Sequence, residues 1–118
     1  MTDFSVISSI LSASDIALFV REKYSLASSA TCKLIKTGIN HTYRIDSESK
    51  SFIFRIYSHN WRTEEEITEE LNLLQLLKKN DISVSYPIAD TLGNFIQTIK
   101  APEGQRFAVL FSFAKGQK

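Results

Sequence analysis

Residues 51–80 read SFIFRIYSHNWRTEEEITEELNLLQLLKKN, and this stretch decides the fold because a strand pattern runs directly into a helix pattern. Residues 51–57 alternate between two faces and are rich in aromatic and branched side chains, which is typical of a β-strand. From Thr63 to about Asn80 the pattern is helical: Thr63 and Glu66 have the capping-box spacing, and lysines end the stretch, as the helix dipole favours. The stretch therefore predicts a strand followed by one long helix that packs on a sheet.

The apolar stripe of this helix contains one carboxylate. Leucine and isoleucine recur at i, i+4 and i+7, and the predicted stripe consists of Ile67, Leu71, Leu74 and Leu77, broadened by Leu73 and Leu76. At about 100° per residue, Glu70 falls on the apolar arc. A buried carboxylate needs a cation, and Arg55 on the preceding strand is the leading candidate. The alternative is that Glu70 sits at the edge of the stripe and reaches water.

Towards the amino terminus, the sequence predicts helices and then a hairpin. Phe4–Leu11 and Asp15–Tyr24 carry apolar residues at helical spacing, with serines between them available as caps. Thr31–Thr37 and Thr42–Asp46 flank the polar turn Gly38-Ile39-Asn40-His41, so they are predicted to pair as strands. Together with residues 51–57 they make three consecutive antiparallel strands.

Towards the carboxyl terminus, three segments have strand patterns and predict two or three more strands: Ile82–Tyr86, Asn94–Ile99 and Arg106–Phe113. No repeat or interdomain linker interrupts the sequence. We therefore predict a single domain over residues 1–118 of the α+β class, a mostly antiparallel five-stranded sheet with one long packed helix and an N-terminal helical lead-in.

Composition excludes several function classes. The 14 basic and 13 acidic residues give a net charge of +1, too little for a protein whose main partner is nucleic acid. Cys32 is the sole cysteine, and His41 and His59 lack ligand-like spacing, so a structural metal is not expected. The longest apolar runs are far below the roughly 20 residues that span a bilayer. Because no basic signal precedes Arg21, we expect a cytoplasmic protein without membrane contact.

The turn at Gly38 is the second candidate for chemistry. A glycine with polar neighbours between two strands can bring backbone N–H groups close to a phosphate, although the same pattern also makes an ordinary hairpin. His41 and His59 have no acidic or nucleophilic companion nearby in sequence. We therefore expect both histidines to face solvent in turns.

The order of these features resembles a known family. Five features succeed each other: a glycine hairpin, a strand with a central arginine, a helix with an internal glutamate, a short segment that ends in proline and a final apolar strand. They occupy the segments 36–43, 52–57, 67–77, 84–87 and 108–116. This succession resembles the amino-terminal lobe of the aminoglycoside phosphotransferase and choline kinase-like superfamily, which also contains stress-response kinases and the second type of homoserine kinase. The resemblance covers the chain from about Ile10 to Gly116.

The resemblance implies a nucleotide site with ATP and Mg²⁺ as cofactors. The hairpin would lie over the triphosphate, with Gly38, Asn40 and Thr42 near phosphate oxygens. Arg55 would contact the α and β phosphates and pair with Glu70, with Glu66 as the reserve partner.

The segment Phe111-Ser112-Phe113-Ala114 would be the hinge. Phe111 would stand at the back of the pocket, while the Ser112 carbonyl and the Ala114 N–H would meet the adenine edge. Because this recognition uses main chain, Ser112→Ala is expected to matter little.

No His-x-Asp sequence, the core of the family's catalytic loop, occurs in the 118 residues, and the family's later acidic Mg²⁺ motif is also absent. No catalytic or metal-binding residue is therefore expected here. We expect a fragment of a phosphotransferase that moves the γ-phosphate of ATP to a hydroxyl of a protein or of a small molecule such as an aminoglycoside, homoserine or an amino alcohol. The fragment alone is expected to be inactive.

Two other functions are open from sequence alone. A kinase-like lobe can serve as a non-catalytic interaction or regulatory module, and an exposed interlobe face containing Phe111 and Phe113 favours self-association. An unrelated small α+β nucleic-acid binder is the third alternative, which the charge balance disfavours.

Overall fold

The computed structural model describes residues 11–37, 40–48, 50–58, 62–82, 84–102 and 104–113. Within these residues the chain forms two helices and five strands. In chain order they are α1 (Ala13–Tyr24), β1 (Thr31–Lys36), β2 (His41–Ser47), β3 (Lys50–Ile56), α2 (Glu64–Lys79), β4 (Ile96–Ala101) and β5 (Gly104–Ser112). The α+β prediction is confirmed, and most of the predicted lead-in helix Phe4–Leu11 lies outside the described residues.

The five strands form one antiparallel sheet in the order β1-β2-β3-β5-β4. Strand β5 is the last of the five described strands in sequence order, yet it lies between β3 and β4. A buried arginine fastens this arrangement: Arg106 on β5 donates from Nε to the Tyr57 carbonyl oxygen, 2.8 Å away, just beyond the end of β3. The last strand therefore completes the centre of the sheet.

The sheet is covered on both faces because alternate side chains of β3 point in opposite directions. Phe54 and Ile56 pack with Ile16 and Val20 of α1, on what we call the α1 face. Tyr57 packs with residues of α2 on the opposite side, which we call the α2 face; Ile53 and Arg55 also point to this side. Strand β5 contributes to both clusters, which are completed by Ala108 and Leu110 on the α1 face and by Val109 and Phe111 on the α2 face.

Helix α2 begins at the predicted capping box. Thr63 Oγ1 accepts a hydrogen bond from the Glu66 N–H at 3.1 Å, and Glu66 Oε1 accepts one from the Thr63 N–H at 2.9 Å. The buried stripe is narrower than predicted: Ile67 and Leu71 are buried, whereas Leu73 and Leu76 are each 55% exposed. The expectation that these two leucines broaden the stripe was wrong, because they lie on the part of the helix turned away from the sheet.

The predicted strand Ile82–Tyr86 is not formed in the described part of this segment. Residues 84–86 are irregular, and Pro87 makes an isolated bridge with Phe111. Proline has no N–H to donate to a ladder, so regular pairing cannot run through it. Two flanking bonds still dock the segment on β5: the Ser112 N–H donates to the Tyr86 carbonyl at 2.9 Å, and the Ile88 N–H donates to the Leu110 carbonyl at 2.8 Å. Neither described helix is long and apolar enough to cross a membrane.

Candidate functional site

A cavity of about 290 Å³ opens on the α2 face, beside the region where α2 packs on the sheet. Its walls combine apolar side chains with one cation and one carboxylate. The lining residues are Ile53, Arg55, Glu70, Leu74, Val84, Ser85 and Phe111. Strand β3, helix α2, the irregular segment before Pro87 and strand β5 therefore all contribute to it. Of these residues, Arg55, Glu70 and Phe111 are predicted from the sequence to belong to the site, and the other four are not.

Arg55 and Glu70 form the ion pair that their positions in sequence predicted. Arg55 Nη1 lies 3.6 Å from Glu70 Oε2, and the two side chains are 34% and 32% exposed. The distance exceeds that of a good hydrogen bond, so this is a charge contact that both groups make while still reaching water. The two alternatives stated for Glu70 are therefore both partly correct: it has a cation, and it is partly solvated.

A second arginine contacts the same carboxylate. Arg62 Nη1 lies 3.6 Å from Glu70 Oε1, so each oxygen of Glu70 faces a different guanidinium. No sequence pattern identifies Arg62 as part of the site, because it precedes the helix in a segment without periodicity. Glu66, the reserve partner, is occupied by the helix cap instead. Two arginines against one glutamate leave the cluster with one net positive charge.

Aromatic rings support the Arg55 guanidinium. Its Cζ lies 4.9 Å from the centre of the Phe111 ring and 6.0 Å from that of Tyr57, distances at which a cation is attracted to an aromatic face. Burial raises the pKa of the Tyr57 hydroxyl, which keeps this neighbour neutral at ordinary pH. Arg55 is therefore held by one carboxylate and two rings.

The structure brings Thr42 to Arg55. The two residues are register partners on β2 and β3, so their side chains share the α2 face. Asn40 is half-buried immediately before β2. Gly38 lies outside the described residues, so the hairpin tip stays a prediction.

His41 differs from its expected place. It is the first residue of β2 and is only 3% exposed, not a solvent-facing turn residue. The cause is strand alternation, which puts His41 on the same side as the buried Tyr43 and Ile45. His59 lies outside the described residues.

The predicted hinge has one unexpected contact. Phe111 lines the cavity. Its place at the back of a nucleotide pocket stays a prediction. Ser112 Oγ accepts a hydrogen bond from the Tyr86 N–H at 3.0 Å, in addition to the backbone bond between the same residues. The hydroxyl therefore helps to dock the segment that supplies Val84 and Ser85 to the cavity, and we revise the expectation that Ser112→Ala matters little. Ala114 lies outside the described residues.

Within the described residues, no three His, Cys, Asp or Glu side chains lie close enough to form a metal site. The charged part of the cavity is instead an arginine and glutamate cluster, which suits an anionic ligand better than a cation.

Comparison with known proteins now identifies the family. Residues 31–118 match the phosphotransferase enzyme family. The chain belongs to this family. It is 33% identical over 113 residues to the uncharacterized protein sll1119 of Synechocystis, covering 96% of this chain and 31% of that protein. The chain thus spans about a third of the length of this relative.

Two solved phosphotransferase structures share the fold. A microcompartment-associated aminopropanol kinase matches with a TM-score of 0.74 and 23% identity, covering 89% of this chain and 33% of that one. The amicoumacin kinase hAmiN, solved with AMP-PNP, Ca²⁺ and Ami, matches with a TM-score of 0.76 and 20% identity, covering 92% of this chain and 33% of that one. The predicted kinase-like amino-terminal lobe is confirmed.

Proposed function

We propose that this chain is the nucleotide-binding lobe of a phosphotransferase that moves the γ-phosphate of ATP to a hydroxyl group. The observation that carries the proposal is the Arg55, Arg62 and Glu70 cluster at a cavity whose other walls are largely apolar. A nucleotide fits such a site, because its anionic phosphates complement the positive cluster and the apolar faces of its base complement the apolar walls.

The residues of this chain have distinct tasks in the proposed site. Arg55 binds phosphate oxygens through its fork of donors, while Glu70 and the Phe111 ring orient its guanidinium. Thr42, its register partner, places a hydroxyl beside the same phosphates. Ile53 and Phe111 supply apolar surface for the base. Bound ATP supplies the phosphoryl group, and Mg²⁺ offsets the charge of its phosphates.

The acceptor is proposed to be a small-molecule hydroxyl. Both structural neighbours named above are kinases of small molecules, an amino alcohol in one case and amicoumacin in the other. An aminoglycoside, homoserine and an amino alcohol remain the acceptor classes, with a protein hydroxyl as the alternative.

A ¹⁵N NMR titration of the chain with Mg·ATP tests nucleotide binding. Shifts are expected at Asn40 to Tyr43, Arg55 and Phe111 to Phe113, and Arg55→Ala should weaken binding about tenfold or more, since a charge-assisted contact to phosphate is lost. Lys100→Ala is the matched control, because it removes one positive charge from an exposed position on β4 outside the cavity. If the spectrum shows a folded chain but its chemical shifts do not change at millimolar ATP, the result would contradict the proposal and favour a non-catalytic interaction module.

The absence of His-x-Asp from the sequence motivates a second test. The 118-residue chain alone is expected to transfer no phosphate to water or to any of the proposed acceptors, because its sequence lacks the His-x-Asp motif whose aspartate is the expected base for the attacking hydroxyl. A coupled ADP-release assay checks this, and turnover that persists in the purified chain but disappears in Arg55→Ala would refute it.

A further inference from the structure

Strand β2 extends the α2 face beyond the cavity. Its buried residues alternate with Thr42, Arg44 and Asp46, which share the side of the sheet that carries Arg55. Arg44 is the register partner of Ile53, and Ile53 is the register partner of Phe111. Arg44 on β2, Ile53 on β3 and Phe111 on β5 therefore form one row across the sheet. Ile53 and Phe111 also line the cavity.

The neighbouring row contains Thr42 and Arg55, the residues assigned to phosphate. The two rows are two positions apart along each strand, a distance of about 6.6 to 6.8 Å. Arg55 therefore lies in one row, and the cavity residues Ile53 and Phe111 lie in the other. A nucleotide whose phosphates contact Arg55 extends its base towards the row of Ile53. Arg44 is the cation in that row.

Polar contacts fix the Arg44 side chain. Its Nε donates to Asp46 Oδ1 at 3.0 Å and its Nη2 donates to Ser51 Oγ at 3.2 Å, while the Ser51 hydroxyl donates to Asp46 Oδ1 at 2.7 Å. Arg44 Cζ also lies 5.0 Å from the centre of the Phe113 ring, beside the predicted hinge. The side chain is nevertheless 41% exposed, so surface is left for a ligand.

We propose that Arg44 is a base-contacting residue, whose guanidinium packs against the purine ring of the bound nucleotide. The inference rests on the proposed function, since it needs a nucleotide in the cavity. The edge of the guanidinium is held by Asp46 and Ser51, and the Phe113 ring lies 5.0 Å from its Cζ, so the flat face turned away from Phe113 is the part that meets the purine. Contacts between arginine and an aromatic face are favourable and independent of base identity, so the contact should strengthen the binding of ATP and of GTP by similar amounts.

Three ligands separate a base contact from a phosphate contact: Mg·ATP, adenosine and inorganic tripolyphosphate. Dissociation constants are measured by ¹⁵N NMR for the unchanged chain, Arg44→Ala and Arg55→Ala. Arg44→Ala is expected to raise the dissociation constants of ATP and of adenosine by about fivefold each. The dissociation constant of tripolyphosphate should change by less than about twofold. Arg55→Ala should also weaken the binding of ATP, but it should weaken the binding of tripolyphosphate and spare that of adenosine.

Two further variants test the flat-face contact. Arg44→Lys keeps the charge without the planar group, and it should recover little of the lost adenosine affinity. Ser51→Ala loosens Arg44 without removing it, so a smaller loss for the same two ligands is expected, and this variant keeps the test valid if Arg44→Ala does not fold. Full recovery by lysine would overturn the proposal, as would equal losses for ATP and tripolyphosphate in Arg44→Ala.

The two proposals fail in different ways. If the unchanged chain binds neither ATP nor adenosine, the proposed function fails and the inference fails with it. If ATP binds and Arg55→Ala weakens it while Arg44→Ala changes no affinity, only the role of Arg44 is overturned.

Discussion

Arg55 and Arg62 share the carboxylate of Glu70, each with one guanidinium nitrogen 3.6 Å from a different oxygen. Such shared pairing stabilises the fold only slightly, because all three side chains are at least 32% exposed and water screens their charges. Its main effect is electrostatic. Glu70 neutralises only one of the two cations, so the cluster attracts an anion while the carboxylate still orients both guanidinium groups.

Arg62→Ala should therefore weaken Mg·ATP binding by about threefold without destabilising the chain by more than about 1 kcal/mol. The loss should shrink as salt rises from 50 to 500 mM, because the contribution is mainly long-range charge attraction. Titrations at the two salt concentrations measure it, with Lys100→Ala as the control for net charge. Tighter ATP binding in Arg62→Ala would show that Arg62 competes for Glu70 instead of assisting Arg55.

Thr63→Ala should lower the free energy of unfolding by about 1 kcal/mol, since it removes the hydroxyl that accepts a hydrogen bond from the Glu66 N–H at the start of α2. Urea unfolding followed by circular dichroism gives the change. Thr68→Ala is the matched control on the same helix: Thr68 is exposed and makes no cap, and alanine has the higher helix propensity, so this change should be neutral or stabilising. Equal losses in the two variants would argue against the capping box.

Ser112→Ala should destabilise the chain by about 1 kcal/mol and speed hydrogen exchange at the Tyr86 amide. The Tyr86 N–H donates to Ser112 Oγ at 3.0 Å and loses its acceptor in this variant. Ser112→Thr retains the hydroxyl and should keep the exchange slow. If exchange at Tyr86 is the same in the alanine variant as in the unchanged chain, the hydroxyl does not hold the segment.

Cys32 should react unusually slowly with thiol reagents. Burial raises the pKa of its thiol from 9.0 to about 11, so at pH 7 the reactive thiolate is about a hundredfold scarcer than in an ordinary cysteine. Because the folded-state pKa is raised, the rate should climb about tenfold per pH unit and level off only near pH 11. Iodoacetamide labelling followed by mass spectrometry checks this, and 8 M urea should restore the rate of a model peptide. Fast labelling of the folded chain at pH 7 would contradict the expectation.

Periodic segments were predictable because one physical rule fixes each of them. The alternation in β3 placed Arg55 on the face opposite Phe54, and the helical spacing of α2 turned Glu70 towards the same side. Packing of the strand against the helix then brings the two charges near each other. The two local patterns made Arg55 the leading partner of Glu70 but left open whether Glu70 reaches water, and the structure shows both the contact and the partial exposure.

Other features depend on partners that local sequence does not reveal. The burial of His41 follows from where β2 begins, and that boundary cannot be read from a turn composition. Residues 84–86 alternate like a strand, but Pro87 limits their pairing with β5 to an isolated bridge and flanking bonds. Arg62 contacts Glu70 on α2, and Arg44 donates to Ser51 on the neighbouring strand β3. These contacts form only when the helix and the sheet are assembled, so local sequence does not reveal them.

The insertion of β5 between β3 and β4 has a consequence for the time at which the site forms. Arg106, which secures the end of β3, follows Ile56 by 50 positions, and closing so large a loop is entropically costly. During folding, the first three strands can pair locally, whereas β3 keeps an open edge until the final strand arrives. Nucleation through such distant contacts is slow. Arg55 therefore gains the Phe111 ring only after β5 has joined the sheet, and on the ribosome the complete site can assemble only after β5 has emerged.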